Sequence, residues 1–219
     1  MSMNFGKTLL IASLSVALLA SGTGTDRATG AETGHHAPPA GPDRASEIRV
    51  GKPSPGFSLE AVAGEEFKTV SLSDYRGRWV VLFFYPLDFT LVCPTEIRGF
   101  NAALSRFREL NAEVLAVSVD SKYSHLAWIK RGDLGKLEYP LLSDFRKEVS
   151  RSYGILDEES GAAQRGLFII DPQGNIQYLV VHNGDVGRSV DETLRILTAL
   201  QTGELCPLGW KPGQKTLGK

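Results

Sequence analysis

The chain has 219 residues, a formal net charge of −1, and 42% hydrophobic against 22% charged residues. These values suit one globular domain with accessory segments, and they exclude a strongly basic nucleic-acid surface or one built for anionic membranes. The only cysteines are Cys93 and Cys206, and no cluster of Cys and His has zinc-site spacing, so no metal or other cofactor is expected.

Lys7 precedes an apolar run, Leu9 to Ala20, of the length of a signal-peptide core. The run is short of the roughly 20 residues a spanning helix needs. Small residues place cleavage after Ala20 or after Ala31. Residues 1–31 are therefore read as a signal peptide, or as an N-terminal anchor if left uncleaved, running into a linker. The product is expected to be exported, periplasmic or secreted, with membrane attachment only in the uncleaved case and a cytoplasmic product as the alternative. Residues 32–47 are rich in Gly, Ala and Pro and poor in large apolar side chains. Such a segment buries too little surface to offset its ordering entropy and is read as a disordered linker. His35 and His36 fall within it, and His125 and His182 stand alone; all four read as solvated or core-satisfied imidazoles.

The globular pattern occupies residues 48–203. Phe57–Leu59 and Phe67–Val70 alternate like short strands about a turn at Gly64. Trp79 to Tyr85 is continuously apolar, as in a strand buried on both faces. Ile97, Phe100, Leu104, Phe107 and Leu110 recur at helical steps and predict one amphipathic helix. Val114–Val119 is a second buried strand, Leu126–Lys130 is helical up to Gly132 and Gly135, Leu141–Leu142 is extended, and Glu148–Tyr153 is a short helix. Gly166–Ile170 and Ile176–His182 flank the turn Asp171-Pro172-Gln173-Gly174 as a hairpin. Ser189 caps a last helix to Leu200, with Glu192 placed to complete a capping box. Strands alternating with helices predict an α/β three-layer domain with a central mixed sheet flanked by helices.

The chemistry concentrates at the end of the first buried strand. Pro86 ends the strand, because it cannot donate to a ladder. Cys93 opens the helix that follows, where unpaired N–H groups and the positive end of the helix dipole favour a thiolate nucleophile. Pro94 suits a first helical turn, and Thr90 lies one turn before the sulfur, within reach of it if that turn is helical. A buried packing cysteine is the bland alternative. Cys206 follows the last helix in a Gly/Pro-rich tail, residues 204–219. It could close a permanent disulfide, as exported proteins often do, or sit on a mobile tail as a reactive thiol. Trp210 reads as an anchor for that tail.

The stretch Phe83 to Ile97, reading FFYPLDFTLVCPTEI, resembles the peroxidatic motif of the typical 2-Cys peroxiredoxins. So do Val119-Asp120-Ser121, His125-Leu126-Ala127-Trp128, Arg165 to Asp171 and Val186 to Glu192, while Gly203 to Gly213 is similar to that family's resolving-cysteine segment. The resemblance covers Ile48 to about Gly213 and implies a thioredoxin-like fold. It further implies that Cys93 reduces hydrogen peroxide or organic hydroperoxides and becomes a sulfenic acid. Cys206 of a partner chain would then form an intersubunit disulfide, and a thioredoxin-like dithiol would reduce it. Pro86, Thr90 and Arg165 correspond to the other active-site residues, and a homodimer that could assemble into a decamer is implied. Glu96 and Arg188 could form a second charged layer that orients Arg165, or be solvated charges.

Thiolate formation alone does not make a fast peroxidase. An ordinary thiol of pKa about 8.5 is only about 3% thiolate at pH 7. Lowering a thiol's pKa to about 6 raises that share roughly 30-fold, but the accompanying fall in nucleophilicity takes back some 10–20-fold. Most of the acceleration must come from donors aimed at the peroxide oxygens: the guanidinium of Arg165, the hydroxyl of Thr90 and backbone N–H groups. A thioredoxin-type oxidoreductase would need a second cysteine where Glu96 stands, and a holdase oligomer would not need Pro86, Thr90, Cys93 and Arg165 together. The loop Gly132-Asp133-Leu134-Gly135 departs from the Gly-Gly-Leu-Gly of easily inactivated members, and no Tyr-Phe extension precedes Lys219; resistance to hyperoxidation is expected.

Overall fold

The structure, a computed structural model, describes residues 48–219. The expected signal or anchor segment and linker, residues 1–47, lie outside the described residues. Among the described residues no helix is long and apolar enough to cross a membrane.

Strands β1 (Ser58–Ala63) and β2 (Glu66–Ser71) form an antiparallel hairpin whose turn places Gly64 at φ 62°, a left-handed conformation that glycine adopts without strain. A single 3₁₀ turn, Leu72–Tyr75, leads to β3 (Trp79–Phe84). Then follow α1 (Cys93–Ala102), α2 (Leu104–Glu109), β4 (Ala112–Ser118), α3 (Lys122–Arg131), β5 (Leu141–Ser143) and α4 (Glu148–Ser152). The hairpin of β6 (Arg165–Ile170) and β7 (Ile176–His182) and the long α5 (Val190–Thr202) complete the domain. The sheet has seven strands in the order β2-β1-β5-β4-β3-β6-β7, with β3–β4 and β4–β5 parallel and the other pairs antiparallel. This is the mixed sheet flanked by helices that the alternation of elements predicts.

The continuous apolar run of β3 is explained by its two neighbours and two covered faces. Val81, Phe83 and the following Tyr85 enter one core with Phe100, Phe107, Trp128 and Leu197. Val80, Leu82 and Phe84 enter the other with Leu115, Val117, Tyr153 and Phe168. The Phe83 ring stacks on Phe100 at 4.6 Å and 19°, which seats α1 against the strand that precedes it.

Three local details differ from the sequence expectation. The single helix expected from Ile97 to Leu110 breaks at Ala103, whose φ of −98° and ψ of 7° leave the helical region. Just before the break, Asn101 bonds the backbone of Lys136 and Glu138 at 2.9 and 2.8 Å. Ile97, Phe100, Leu104 and Phe107 remain fully or nearly fully buried across it. The capping box of α5 is only half made. Ser189 Oγ accepts the Glu192 N–H at 3.1 Å, but the Glu192 carboxylate is taken by Arg195 at 2.6 and 2.7 Å. The tail, expected to be mobile, is closed on itself. The Leu205 N–H donates to Gly218 O and the Leu217 N–H to Leu205 O, both at 2.8 Å. Trp210 is the anchor, 3% exposed, with its ring N–H on Gln214 O and its carbonyl held by Arg195.

Gly166 in β6 sits where a methyl group would lie 3.1 Å from both Ile155 Cδ1 and the Phe168 ring. Gly166→Ala is expected to destabilise the fold by about 1–3 kcal/mol through overpacking, checked by urea denaturation. An unchanged midpoint would show that Ile155 yields freely.

Candidate active site

β3 ends at Phe84, two residues before the half-buried Pro86 expected to end it, and the chain crosses the C-terminal end of the parallel strands as a loop, residues 85–92, before α1 begins at Cys93. Openings at the carboxyl ends of parallel strands are where α/β sheets place their ligands. Val92 precedes the helix in αR conformation and contributes no capping side chain. Its carbonyl instead accepts the Thr95 and Glu96 N–H groups at 3.0 and 3.4 Å. Cys93 is fully buried, at 0% exposure.

The sulfur faces a guanidinium. Arg165, first residue of β6 and 3% exposed, brings Nη1 to 3.4 Å from Cys93 Sγ. The same Nη1 donates to Glu96 Oε2 at 2.7 Å, and Nε donates to Gly184 O at 2.7 Å, so the fork has little freedom to turn. Glu96, one turn along α1 from the cysteine, is the centre of the arrangement. Its Oε1 accepts the Arg188 N–H at 2.8 Å and Nε at 2.7 Å, and its Oε2 accepts Arg188 Nη2 at 2.8 Å. Arg188 Nη1 also reaches Phe84 O at 2.7 Å and Gly166 O at 2.6 Å. One carboxylate and two guanidinium groups leave a surplus positive charge beside Sγ, which an anionic sulfur would balance. Burial pushes the Glu96 carboxyl up, but Arg188 and then Arg165 more than offset it, so its pKa lies below the usual value.

The structure thus brings Cys93, Arg165, Glu96 and Arg188 into one buried cluster. Thr90 is close in sequence but exposed, and its hydroxyl donates to Leu87 O at 2.9 Å rather than to the sulfur. The turn preceding Cys93 is not helical, which removes the geometry that the three-residue spacing suggested. Pro86 lines a cavity of about 400 Å³ with Gln164, His182 and Gly184. Cys206 is half-buried at the C-terminal end of α5, its Sγ 3.7 Å from Thr202 Oγ1, and both cysteines are free thiols. Sequence reasoning missed the carbonyl of Gly184, since a backbone acceptor carries no residue signature. It also missed that His125 meets Asp88, 37 positions away, at 2.9 Å.

A model of the AhpC/TSA family matches residues 50–179. A putative peroxiredoxin in a rubredoxin operon of Clostridium pasteurianum is 57% identical over 177 residues, covering 78% of this chain and 99% of that protein. A chloroplastic 2-Cys peroxiredoxin of Spinacia oleracea is 56% identical over 177 residues, covering 77% of this chain and 67% of that protein. Among solved structures, the reduced 2-Cys peroxiredoxin of Plasmodium vivax aligns with a TM-score of 0.74 and 43% identity over 78% of this chain and 93% of its own. The AhpC of Mycobacterium tuberculosis aligns at 0.69 and 39%, covering 75% of this chain and 99% of its own. With its thioredoxin-like sheet, its buried cysteine–arginine pair and relatives at this identity, the chain belongs to the AhpC/TSA family, the peroxiredoxins.

Proposed function

We propose that this peroxiredoxin reduces hydrogen peroxide and organic hydroperoxides through Cys93, with Cys206 of a second copy as its resolving thiol. The observation that carries the reading is the Arg165 guanidinium 3.4 Å from Cys93 Sγ, oriented by Glu96 and Gly184.

In the first step the Cys93 thiolate attacks the terminal peroxide oxygen. The S–O bond forms as the O–O bond breaks, and the departing oxygen takes a proton and leaves as water or alcohol. Charge moves from sulfur to that oxygen, so donors fixed beside both atoms favour the transition state over the ground state. Arg165 supplies such donors without moving. In this reading the exposed Thr90 hydroxyl turns from Leu87 O to a bound peroxide, and Pro86 stiffens the loop that carries it. The product is a sulfenic acid on Cys93.

In the second step the Cys206 thiolate attacks the Cys93 sulfur, forming a disulfide and releasing water. A disulfide needs Cα atoms about 4.4–6.8 Å apart. A cysteine at 0% exposure cannot meet that from outside, so the first turn of α1 opens for this step. The tail must release Cys206 from Thr202 as well. A thioredoxin-like dithiol then reduces the disulfide and restores both thiols. The open edge of β7 supports a homodimer, because an edge strand presents unpaired backbone groups to a second copy. The apolar run before residue 21 supports export of the protein.

Peroxide consumption followed by stopped flow, with non-reducing gels, tests the cycle. Cys93→Ser should abolish turnover. Cys206→Ser should give one sulfenic-acid turnover and no disulfide-linked dimer. Equal activity in the parent and both variants would overturn the reading.

Glu96 has a second, acid-linked consequence. Its folded pKa is depressed, so its contribution to stability is present above the unfolded carboxyl value and is lost as pH falls through the folded one. Glu96→Gln should cost about 3–5 kcal/mol at neutral pH, by leaving two buried guanidinium groups without a counter-charge. The gap between the two proteins should close as pH falls below about 4.3. Thermal denaturation from pH 7 to pH 3 reads this directly, and a gap independent of pH would show that folding leaves the Glu96 pKa unshifted.

A further inference from the structure

The loop that carries Pro86 and Thr90 is fastened at its middle by a buried carboxylate that the mechanism above does not use. Asp88 is 7% exposed and accepts from three side chains. Tyr85 Oη donates to Oδ1 at 2.9 Å, while Ser124 Oγ at 2.7 Å and His125 Nδ1 at 2.9 Å meet Oδ2. Burial and then Asp88 itself push the Tyr85 phenol well above its ordinary value, so Tyr85 stays protonated and is the donor. The fully buried His125 turns its other nitrogen to Leu142 O at 3.2 Å, which ties the network to β5. The Asp88 N–H donates to Asp120 Oδ2 at 2.9 Å, an oxygen that also accepts from Ser118 Oγ at 2.7 Å at the end of β4.

The next residue records what this anchoring does. Phe89 has φ 57°, a conformation that a bulky side chain rarely adopts and that persists only where the surroundings over-determine it. Its ring lies 5.6 Å from Trp128, with Arg131 5.7 Å from its centroid. Beyond it, Thr90 is exposed and bonded only to Leu87 within the same loop. Pro86 and Thr90 therefore share one fixed point, the residue midway between them.

We infer that Asp88 is a positioning residue for peroxide reduction: held by Tyr85, Ser124 and His125, it sets the place of Pro86 and Thr90 opposite the Cys93–Arg165 pair. The inference rests on the peroxidase reading above. It separates two properties of Cys93 that a merely structural residue would change together. Alkylation by iodoacetamide needs the thiolate but not the loop hydroxyl, whereas peroxide reduction needs both.

The experiment compares the two rate constants of Cys93, for hydrogen peroxide and for iodoacetamide, in the Cys206→Ser background. Asp88→Asn removes one acceptor oxygen and turns an N–H₂ toward donors. It should lower the peroxide rate constant about tenfold or more, since misplacements near 1 Å can cost that much and beyond. The alkylation rate constant should hold or rise. Combined with Thr90→Val, the second substitution should add little, because both act through the same hydroxyl. Ser124→Ala, which deletes one donor to Asp88, should give a smaller selective loss, and it decides the matter should Asp88→Asn fail to fold. Equal proportional losses in the two reactions, or losses that multiply in the double variant, would overturn the inference while leaving the peroxidase reading intact. A parent protein that alkylates but does not react with peroxide would remove both.

Discussion

Glu96 lies between two arginines in the interior, and much of the domain's local geometry follows from keeping those three charges satisfied. Moving a carboxylate or a guanidinium out of water costs several kcal/mol per ion, and attraction between the charges offsets this only when the remaining hydrogen-bonding capacity is used. Here it is used. The carboxylate takes four donors, three from Arg188 and one from Arg165, while Arg188 Nη1 goes to the carbonyls of Phe84 and Gly166 and Arg165 Nε to that of Gly184. Those carbonyls belong to the end of β3, to β6 and to the loop before α5. A single buried cluster thereby fixes the first turn of α1 against two strands, and it does so at the cysteine.

The same cluster supplies the electrostatics of the site. A lone arginine near a thiol would be free to swing toward water, which would leave the sulfur with a weak and variable partner. Arg165 cannot do so, since its Nε and Nη1 are both committed within the interior. A preorganised donor is more valuable than a mobile one, because no reorganisation is needed as charge passes from sulfur to oxygen. Glu96 thus orients Arg165 without neutralising it, since Arg188 shares the carboxylate and leaves a surplus positive charge facing Sγ.

Much of this was legible in the sequence because period and punctuation are local signals. The unbroken apolar run of β3, the turn at Asp171–Gly174 and the Ser189 cap each rest on a few neighbouring residues, and each has its counterpart in the structure. What was not legible depends on long-range choices. Glu192 had Arg195 as a competitor for its carboxylate, so the box stayed half-made. Thr90 sat at the right spacing for a helical turn, but α1 begins only at Cys93. The tail carries the Gly and Pro of a mobile segment, yet Trp210 buries its ring and closes it. His125 read as a core-satisfied imidazole, which it is, but nothing in its neighbours named Asp88 as its partner.

The two buried networks bracket the segment that the proposed disulfide step would move. Asp88 holds one end of the loop to Tyr85 and α3, and Glu96 holds the other end to β6 and Arg188. Between them lie Thr90, which is exposed, and Leu91, 89% exposed, with no side chain buried until the half-buried Val92. A disulfide with an outside thiol requires the backbone at Cys93 to open, and the path of least resistance is the unsupported stretch between the two anchors. The bonds lost there are few: the Thr90–Leu87 contact, the bonds from the Thr95 N–H, the Thr95 hydroxyl and the Glu96 N–H to Val92 O, and the Arg165 contact to Cys93 Sγ. Opening there exposes the sulfur while the Asp88 anchor stays closed, so that in the proposed cycle Pro86 remains in place for the next peroxide.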